Sequence, residues 1–463
     1  MTSLREHLDA LRAADDLLTV DERVHWDEEG AIVATEALRH NCEAIHFGST
    51  SGEVDFASGV YAGPDQISSR HHRPWRRIAA SIGLGRECEY ADLLDVLSDR
   101  EMRPIEDAVF VDPAATVEDD VDLYSLGLPT VADEGRQLLT LGLVAVERDG
   151  TTSWAPVRGY VHRSSRLRIS VPRRFVDWCD GERPASVVLG VPGASLLAAL
   201  QGWTQDGGLI KVPQRACGLD DIPLSRVGDR VVPASAEVRV DGTIRPIDES
   251  FEGSSAIWEI GCETATAVFD ADSLALREDP VVPFTPLGAP LTDDIHLTSL
   301  VEAAALFRRV NRYWGVSPVS WIQLPVEGRL GLCLVSSEIL YSGFDWQLAN
   351  ALFSFSEFFD KVLVLDEYAE PTDLARALDD MWVKAHPGND WIFSDPNAPA
   401  ASAPMYRRDG ETGSRLYISA TWDPRWDEDY IAPRVTFESS FPENIRESAL
   451  DRWNDLGFDE EIR

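Results

Sequence analysis

Val232-Pro233-Ala234-Ser235-Ala236-Glu237-Val238, with Asp241-Gly242 three residues on, is the stretch that decides how this chain is read. Residues 230–232 and 237–240 carry the β-branched pattern of short strands, and Asp241-Gly242 reads as the turn that follows them. Working outward on the N-terminal side, residues 138–147, 167–171 and 186–190 show the same pattern. Asp149-Gly150 and Asp180-Gly181 mark further turns. So many short strands predict a β-rich middle domain, a barrel or half-open sheet, over residues 111–290.

The flanks read differently. Ser3 with Glu6 is a capping-box pair, and Leu4, Leu8 and Leu11 follow at helical spacing. A strand over 17–20 and helices over 29–39 and 75–82 complete an α/β N-terminal domain, residues 1–110. Beyond the middle domain, Leu297, Leu300, Val301, Ala304, Phe307, Val310 and Trp314 line one face of a long helix. Residues 361–366, Lys-Val-Leu-Val-Leu-Asp, read as a buried strand, and Thr372 as the cap of a helix over 373–385. That makes residues 291–463 an α/β C-terminal domain opened by the long helix. Residues 394–414 read as a surface loop, and the acidic stretch after Pro442 as a terminal helix. The fold class expected is therefore α+β or α/β multidomain. Three domains also suit 463 residues at about 100–200 residues each.

The formal net charge is -37, from 79 acidic and 42 basic residues, and only Lys211, Lys361 and Lys384 are lysines. Like charges at that density destabilise a compact state in dilute buffer. In molar salt the Debye length falls to about 3 Å and the repulsion is screened. A halophilic protein of a salt-rich cytoplasm is expected, and nucleic acid is excluded as a partner. The six cysteines form no C-x-x-C pair, so buried thiols in a reducing compartment are expected. No apolar run approaches the roughly 18 residues of a membrane span, and the polar start Met1-Thr2-Ser3 has no signal core. These features predict a cytoplasmic protein.

Metal and nucleophile motifs are missing. His71-His72 stands among Arg70, Arg73, Arg76 and Arg77, which favours an anion-facing surface over a metal site. No H-E-x-x-H, G-x-S-x-G, P-loop or G-x-G-x-x-G occurs. What remains is a set of ordered blocks. Leu128-Pro129-Thr130 and Asp133-Glu134-Gly135-Arg136 lead into the strand at 138. Trp154-Ala155-Pro156-Val157-Arg158 follows the turn at 149. Gly190-Val191-Pro192-Gly193-Ala194, the 232–238 block, Glu252-Gly253, and residues 361–366 with Pro371-Thr372-Asp373 come next.

This order, from about residue 3 to residue 435, resembles the UbiD family of prenylated-FMN decarboxylases. The family carries L-P…D-G-G-R-Y, N-V-G-x-Y-R, V-P-A-x-x-E-I-V-L-E-G and E-G-P-F-G-E blocks in that sequence. The resemblance implies an α/β N-terminal domain, a central split β-barrel of flavin-reductase type and an α/β oligomerisation domain. It implies a carboxy-lyase acting on an aromatic or α,β-unsaturated carboxylic acid, prenylated FMN as cofactor, and a homodimer or higher oligomer. Arg158 ends the block matching N-V-G-x-Y-R and resembles the catalytic and cofactor-contacting arginine. Glu252 falls at the first catalytic glutamate. Ile257 stands at the spacing of the second, with Glu259 two positions on. Without the resemblance, Arg158 reads as a surface ion pair and both glutamates as solvated acids.

The metal ligands depart from the family. Its Asn position is Ser153, no histidine lies within 169–177, and only Asp206 is acidic within 204–209. A hydroxyl is a weak ligand for a hard cation, so the sequence supplies no set for a divalent metal such as Mn. Two alternatives accompany the enzyme reading. One is a catalytically inactive UbiD-fold binding or assembly subunit for a paralogous UbiD-like chain; the other is a protein that binds its flavin without metal.

Overall fold

The structure is a computed structural model that describes residues 1–40, 43–63, 73–99, 101–118, 121–131, 135–203, 211–287, 291–371, 373–394, 401–402, 413–422 and 441–457. The chain starts as its caps dictate. Ser3 Oγ accepts the Glu6 N–H at 3.1 Å, and helix Leu4–Ala13 buries Leu4, Leu8 and Leu11. The Glu6 carboxylate reaches back to Thr2 N rather than to Ser3 N. Strands Leu17–Val20, Ala44–Phe47 and Asp55–Ser58 form a sheet whose fourth strand, Val281–Pro283, comes from beyond the barrel and pairs parallel with Asp55–Ser58. The expected helices are present as Glu29–Arg39 and Arg76–Ser81, and Tyr90–Ser98 adds another.

Six antiparallel strands close the middle of the molecule. Their order is Val238–Pro246, Arg183–Leu189, Leu138–Arg148, Thr151–Arg163, Arg166–Pro172 and Thr264–Leu276, which returns to Val238–Pro246. Closure removes both sheet edges. At the first hairpin Asp149 and Gly150 have φ of 52° and 80°, the two left-handed positions of a type I′ turn. Asp241-Gly242 is not a turn, contrary to expectation. It lies inside strand Val238–Pro246, where the register shifts at a bulge. A Cβ on Gly242 would lie 2.0 Å from the Asp270 carbonyl oxygen, so the glycine serves close strand approach. Helices Gly193–Trp203 and Val212–Leu219 cover one flank. Trp203 Nε1 donates to the Trp154 carbonyl at 2.7 Å, and Trp154 Nε1 to the Val231 carbonyl at 2.8 Å. Two buried indoles thus join helix, barrel and the Arg230–Pro233 hairpin strand without an unsatisfied N–H.

The long helix is Asp293–Tyr313. It packs on Tyr90–Ser98, Gly193–Trp203, Val319–Gln323 and Phe344–Phe355, so it contacts all three parts of the molecule. The C-terminal sheet runs Val319–Gln323, Leu332–Ser337, Lys361–Asp366, Leu416–Ala420, Trp391–Phe393, with Lys361–Asp366 at its centre as expected for a buried strand. Asp373, not Thr372, caps the next helix, Leu374–Lys384, by accepting the Arg376 N–H at 2.9 Å; Thr372 lies outside the described residues. Glu443–Leu450 is the helix after Pro442. The described cysteines are free thiols, and burial raises those of Cys179, Cys217, Cys262 and Cys333. No helix among the described residues is long and apolar enough to cross a membrane.

Candidate active site

Strand Thr151–Arg163 carries Arg158 into the interior, where the residue is 2% exposed. Its counterpart arrives from a short 3-10 turn, Ile257–Gly261. Arg158 Nε donates to Glu259 Oε2 at 2.6 Å and Nη2 to Oε1 at 3.1 Å, a bidentate fork. Two more donors close on the same carboxylate. Ser170 Oγ bonds Oε1, and the Ala256 N–H bonds Oε2 at 2.7 Å. Phe251 lies under the guanidinium, 4.2 Å from ring centroid to Cζ, a cation–π contact. One donor of the arginine is left over: Nη1 is buried and has no partner.

These groups line a cavity of about 420 Å³ together with Arg173, Ser255 and Thr266. That volume is in the range for a small-molecule site. A buried N–H without a partner costs about 1–3 kcal/mol, and an acceptor brought to Nη1 removes that cost. The cavity therefore favours a ligand with a carboxylate or carbonyl oxygen, and the same donor fits a flavin carbonyl.

Of the three acids and bases expected in one place, the structure joins two. Glu259 meets Arg158. Glu252 does not: its side chain is 68% exposed and lies 3.6 Å from Arg136. It lines a separate space of about 550 Å³ with Trp26, Tyr124, Tyr160 and His162. Phe251 stands between the two, edge-on to Tyr160 at 5.5 Å and face-on to Arg158. Neither plain alternative holds for Arg158 and Glu259, since the arginine is no surface ion pair and the glutamate, 6% exposed at its side chain, is no solvated acid.

The metal positions give no ligand set. Ser153 is fully buried with an unpartnered Oγ. It is five residues from Arg158 on one strand, so the two side chains point to opposite faces. Among the described residues no three His, Cys, Asp or Glu side chains gather to hold an ion. Asp206 and the Arg70-His71-His72 run lie outside the described residues. The described residues fit a flavin-type acceptor at Arg158 and do not fit a divalent metal.

Three contributors escape a reading of sequence alone: Ser170, Phe251 and Asp294. Asp294 is 4% exposed, and its Oδ2 accepts the Ile257 N–H at 3.0 Å. Beside it Asp293 accepts backbone N–H groups of Gly59, Tyr61 and Ala62 at 2.6–2.8 Å. Burial nevertheless raises Asp293 to about 6, against the pull of those bonds. A serine, a phenylalanine and an Asp-Asp pair at a helix start are too common to announce a site.

Comparison with known proteins bears on the whole molecule. Residues 295–420 match the family model of the 3-octaprenyl-4-hydroxybenzoate carboxy-lyase C-terminal domain. The UbiD-class enzyme HmfF from Pelotomaculum thermopropionicum, solved with FMN, superposes with a TM-score of 0.78 at 20% identity, over 96% of this chain and 99% of that one. The vanillic acid decarboxylase of Sedimentibacter hydroxybenzoicus in its open form gives 0.77 at 18%, over 98% and 99%. The 3,4-dihydroxybenzoic acid decarboxylase AroY of Klebsiella pneumoniae gives 0.72 at 16%, over 97% and 99%.

Proposed function

From the premise that this chain has the UbiD fold and carries the carboxy-lyase C-terminal domain over residues 295–420, we propose that it is a UbiD-like non-oxidative decarboxylase of an aromatic or α,β-unsaturated carboxylic acid. The observation that carries the reading is the buried Arg158–Glu259 fork with Arg158 Nη1 still unpartnered. We assign the closed barrel as the cofactor domain, of flavin-reductase type, with prenylated FMN held in part by Arg158. When bound, that group supplies the electron sink for the carbon that loses CO2.

The chain's own residues do the rest. Arg158 binds the substrate carboxylate through Nη1 and fixes its direction. As the carboxyl group leaves as CO2, Glu259 relays a proton to the carbon, so that R–COO⁻ and H⁺ become R–H and CO2. Phe251 shields the reacting carbon from water on the guanidinium side. No step is routed through a metal. The retained fork and its spare donor favour this reading over an inactive assembly subunit.

The test is expression with a prenyl-FMN synthase in molar KCl, then a visible spectrum and CO2 release from a panel of aromatic and unsaturated acids. The spectrum should show bound flavin. Arg158→Ala and Glu259→Gln should each lower turnover by about 10²–10⁴-fold. A colourless protein, or unchanged turnover in both variants, overturns the assignment. KCl belongs in the assay because the surface carries a net charge of -37; we expect the melting temperature to rise with salt. The C-terminal domain exposes Trp382 at 85% and Phe393 at 65%, an apolar cost that supports a homo-oligomer, readable by light scattering.

A further inference from the structure

Glu259 sits on a turn of five residues, and a single 3-10 turn does not hold a side chain to catalytic tolerance by itself. The structure shows what does. Two carboxylates take the first two backbone donors at its start. The Ala256 N–H goes to Glu259 itself, and the Ile257 N–H goes to Asp294 Oδ2 at 3.0 Å. Asp294 is in turn fixed from its other oxygen. Oδ1 accepts the Thr292 hydroxyl at 2.6 Å and the Thr285 hydroxyl at 3.0 Å, and the Thr285 N–H donates to Thr140 Oγ1 at 2.9 Å. Thr285 and Thr292 are fully buried, as is the barrel strand Leu138–Arg148 around Thr140. The Thr292, Thr285 and Thr140 bonds are buried and the Ile257 bond is part-buried, and hydrogen bonds to a charged acceptor strengthen as water is excluded.

We infer that Asp294 is the positioning residue for Glu259. It ties the turn to the start of helix Asp293–Tyr313 and, through Thr285 and Thr140, to the barrel strand. The helix start favours a negative charge there. Asp294 does not itself line the cavity; it acts by holding the Ile257 N–H, and so the turn, at the height where Glu259 meets the guanidinium fork. The helix carries the C-terminal domain, so the placement of that domain sets the placement of the acid. This inference rests on the decarboxylase reading for its catalytic consequence, but its structural half stands apart from it.

The experiment uses the full chain with Asp294→Ala, Asp294→Asn and Thr285→Val. Amide hydrogen exchange at residues 256–261 reads the turn directly. Asp294→Ala should speed exchange at residues 256–261 by about tenfold or more, a lost buried bond to a charged acceptor, and leave strand Leu138–Arg148 unchanged. It should lower kcat by about 10- to 100-fold with KM within about threefold, as a displaced but intact acid would. Asp294→Asn keeps one acceptor oxygen and should recover part of both; Thr285→Val should fall between it and wild type. If Asp294→Ala does not fold, the other two variants carry the test. Unchanged exchange at 256–261, or faster exchange with kcat intact, overturns the inference. A wild-type chain that binds cofactor but decarboxylates no acid removes the proposed function instead, while the exchange data still decide whether Asp294 holds the turn.

Discussion

The Arg77–Asp16 and Arg158–Glu259 contacts are both buried arginine–carboxylate pairs, and they differ in what the arginine has left to give. In the N-terminal part, Arg77 donates from Nε and Nη2 to Asp16 at 3.1 and 2.5 Å and from Nη1 to the Gly59 carbonyl at 2.8 Å. Nη1 also reaches the Ala62 carbonyl. Arg76 and Arg86 bond the same aspartate. In the barrel, Arg158 makes the same two-point fork with Glu259, but its Nη1 has no partner. The Arg77 guanidinium is bonded from all three nitrogens by its own chain, and that of Arg158, a residue of the cavity lining, keeps one buried nitrogen without a partner. Burial and pairing are common to both, so neither distinguishes scaffold from site. The place of Arg158 in the cavity lining does: Arg76 and Arg86 beside Asp16 also have a buried, unpartnered Nε, but neither lines that cavity.

The largest expected effect tests the saturated side. Burial pushes the Asp16 carboxyl up, but the Arg77 bond and the field of Arg77, Arg76 and Arg86 hold it below its ordinary value. Replacing Arg77 by Met strips a buried carboxylate of its best partner and frees two backbone carbonyls. The unfolding free energy should drop by about 3–5 kcal/mol in chemical denaturation. The double change Arg158→Met with Glu259→Leu removes both charges of the other pair and should stay within about 1–2 kcal/mol of wild type while turnover is lost. Equal losses from both sites would erase the distinction.

A pH experiment sharpens the same contrast, because the saturated region also holds two buried histidines. His7 is pushed down to about 4 by burial first, against its bond to the Val60 carbonyl and with help from Arg77. His296 is pushed down to about 3, again by burial and then by Arg77. A folded-state value below the unfolded 6.5 means the unfolded chain binds more protons between the two. Stability is therefore full above about 6.5 and declines as pH falls toward 4, by about 3 kcal/mol for His7 alone. Asp293 works in the opposite sense: raised to about 6, it contributes below its unfolded value and loses that contribution as pH rises through 6. The histidines dominate, so the melting temperature should fall between pH 6.5 and 4, and His7→Gln should flatten that slope. A flat wild-type profile would show that water reaches these side chains.

The parts of this arrangement differ in how far the sequence discloses them. The Leu4, Leu8, Leu11 stripe, the Lys361–Asp366 strand and the long helix are all periodic, and each lies where periodicity puts it. Asp241-Gly242 reads as a turn in sequence because Asp-Gly serves hairpin and bulge equally; only the nearness of Asp270 separates them. Strand Thr264–Leu276 escaped because its alternation runs through alanine and threonine, and helix Gly193–Trp203 because Gly and Pro open it. At the site, block spacing points to Ile257, and Glu259, two positions on, reaches Arg158 from the 3-10 turn. Ser170 and Asp294 act through long-range contacts that no local pattern encodes.

Glu252 gives the smallest expected effect and the finest cut. By block order it holds the place of a catalytic glutamate, yet it stands exposed near Arg136 with Phe251 between it and the fork. A solvated pair of that kind contributes about 0–1 kcal/mol. Glu252→Gln should leave the melting temperature within a degree or two and lower turnover by about tenfold at most, well short of Glu259→Gln. Phe251→Ala separates the two causes. It opens the partition, so a Glu252 that acts on the substrate should then matter more, and one that only pairs with Arg136 should not. If Glu252→Gln alone abolishes CO2 release, the loop carrying Phe251 and Glu252 must swing when substrate binds, and the acid of the reaction is Glu252, with Glu259 left to orient Arg158.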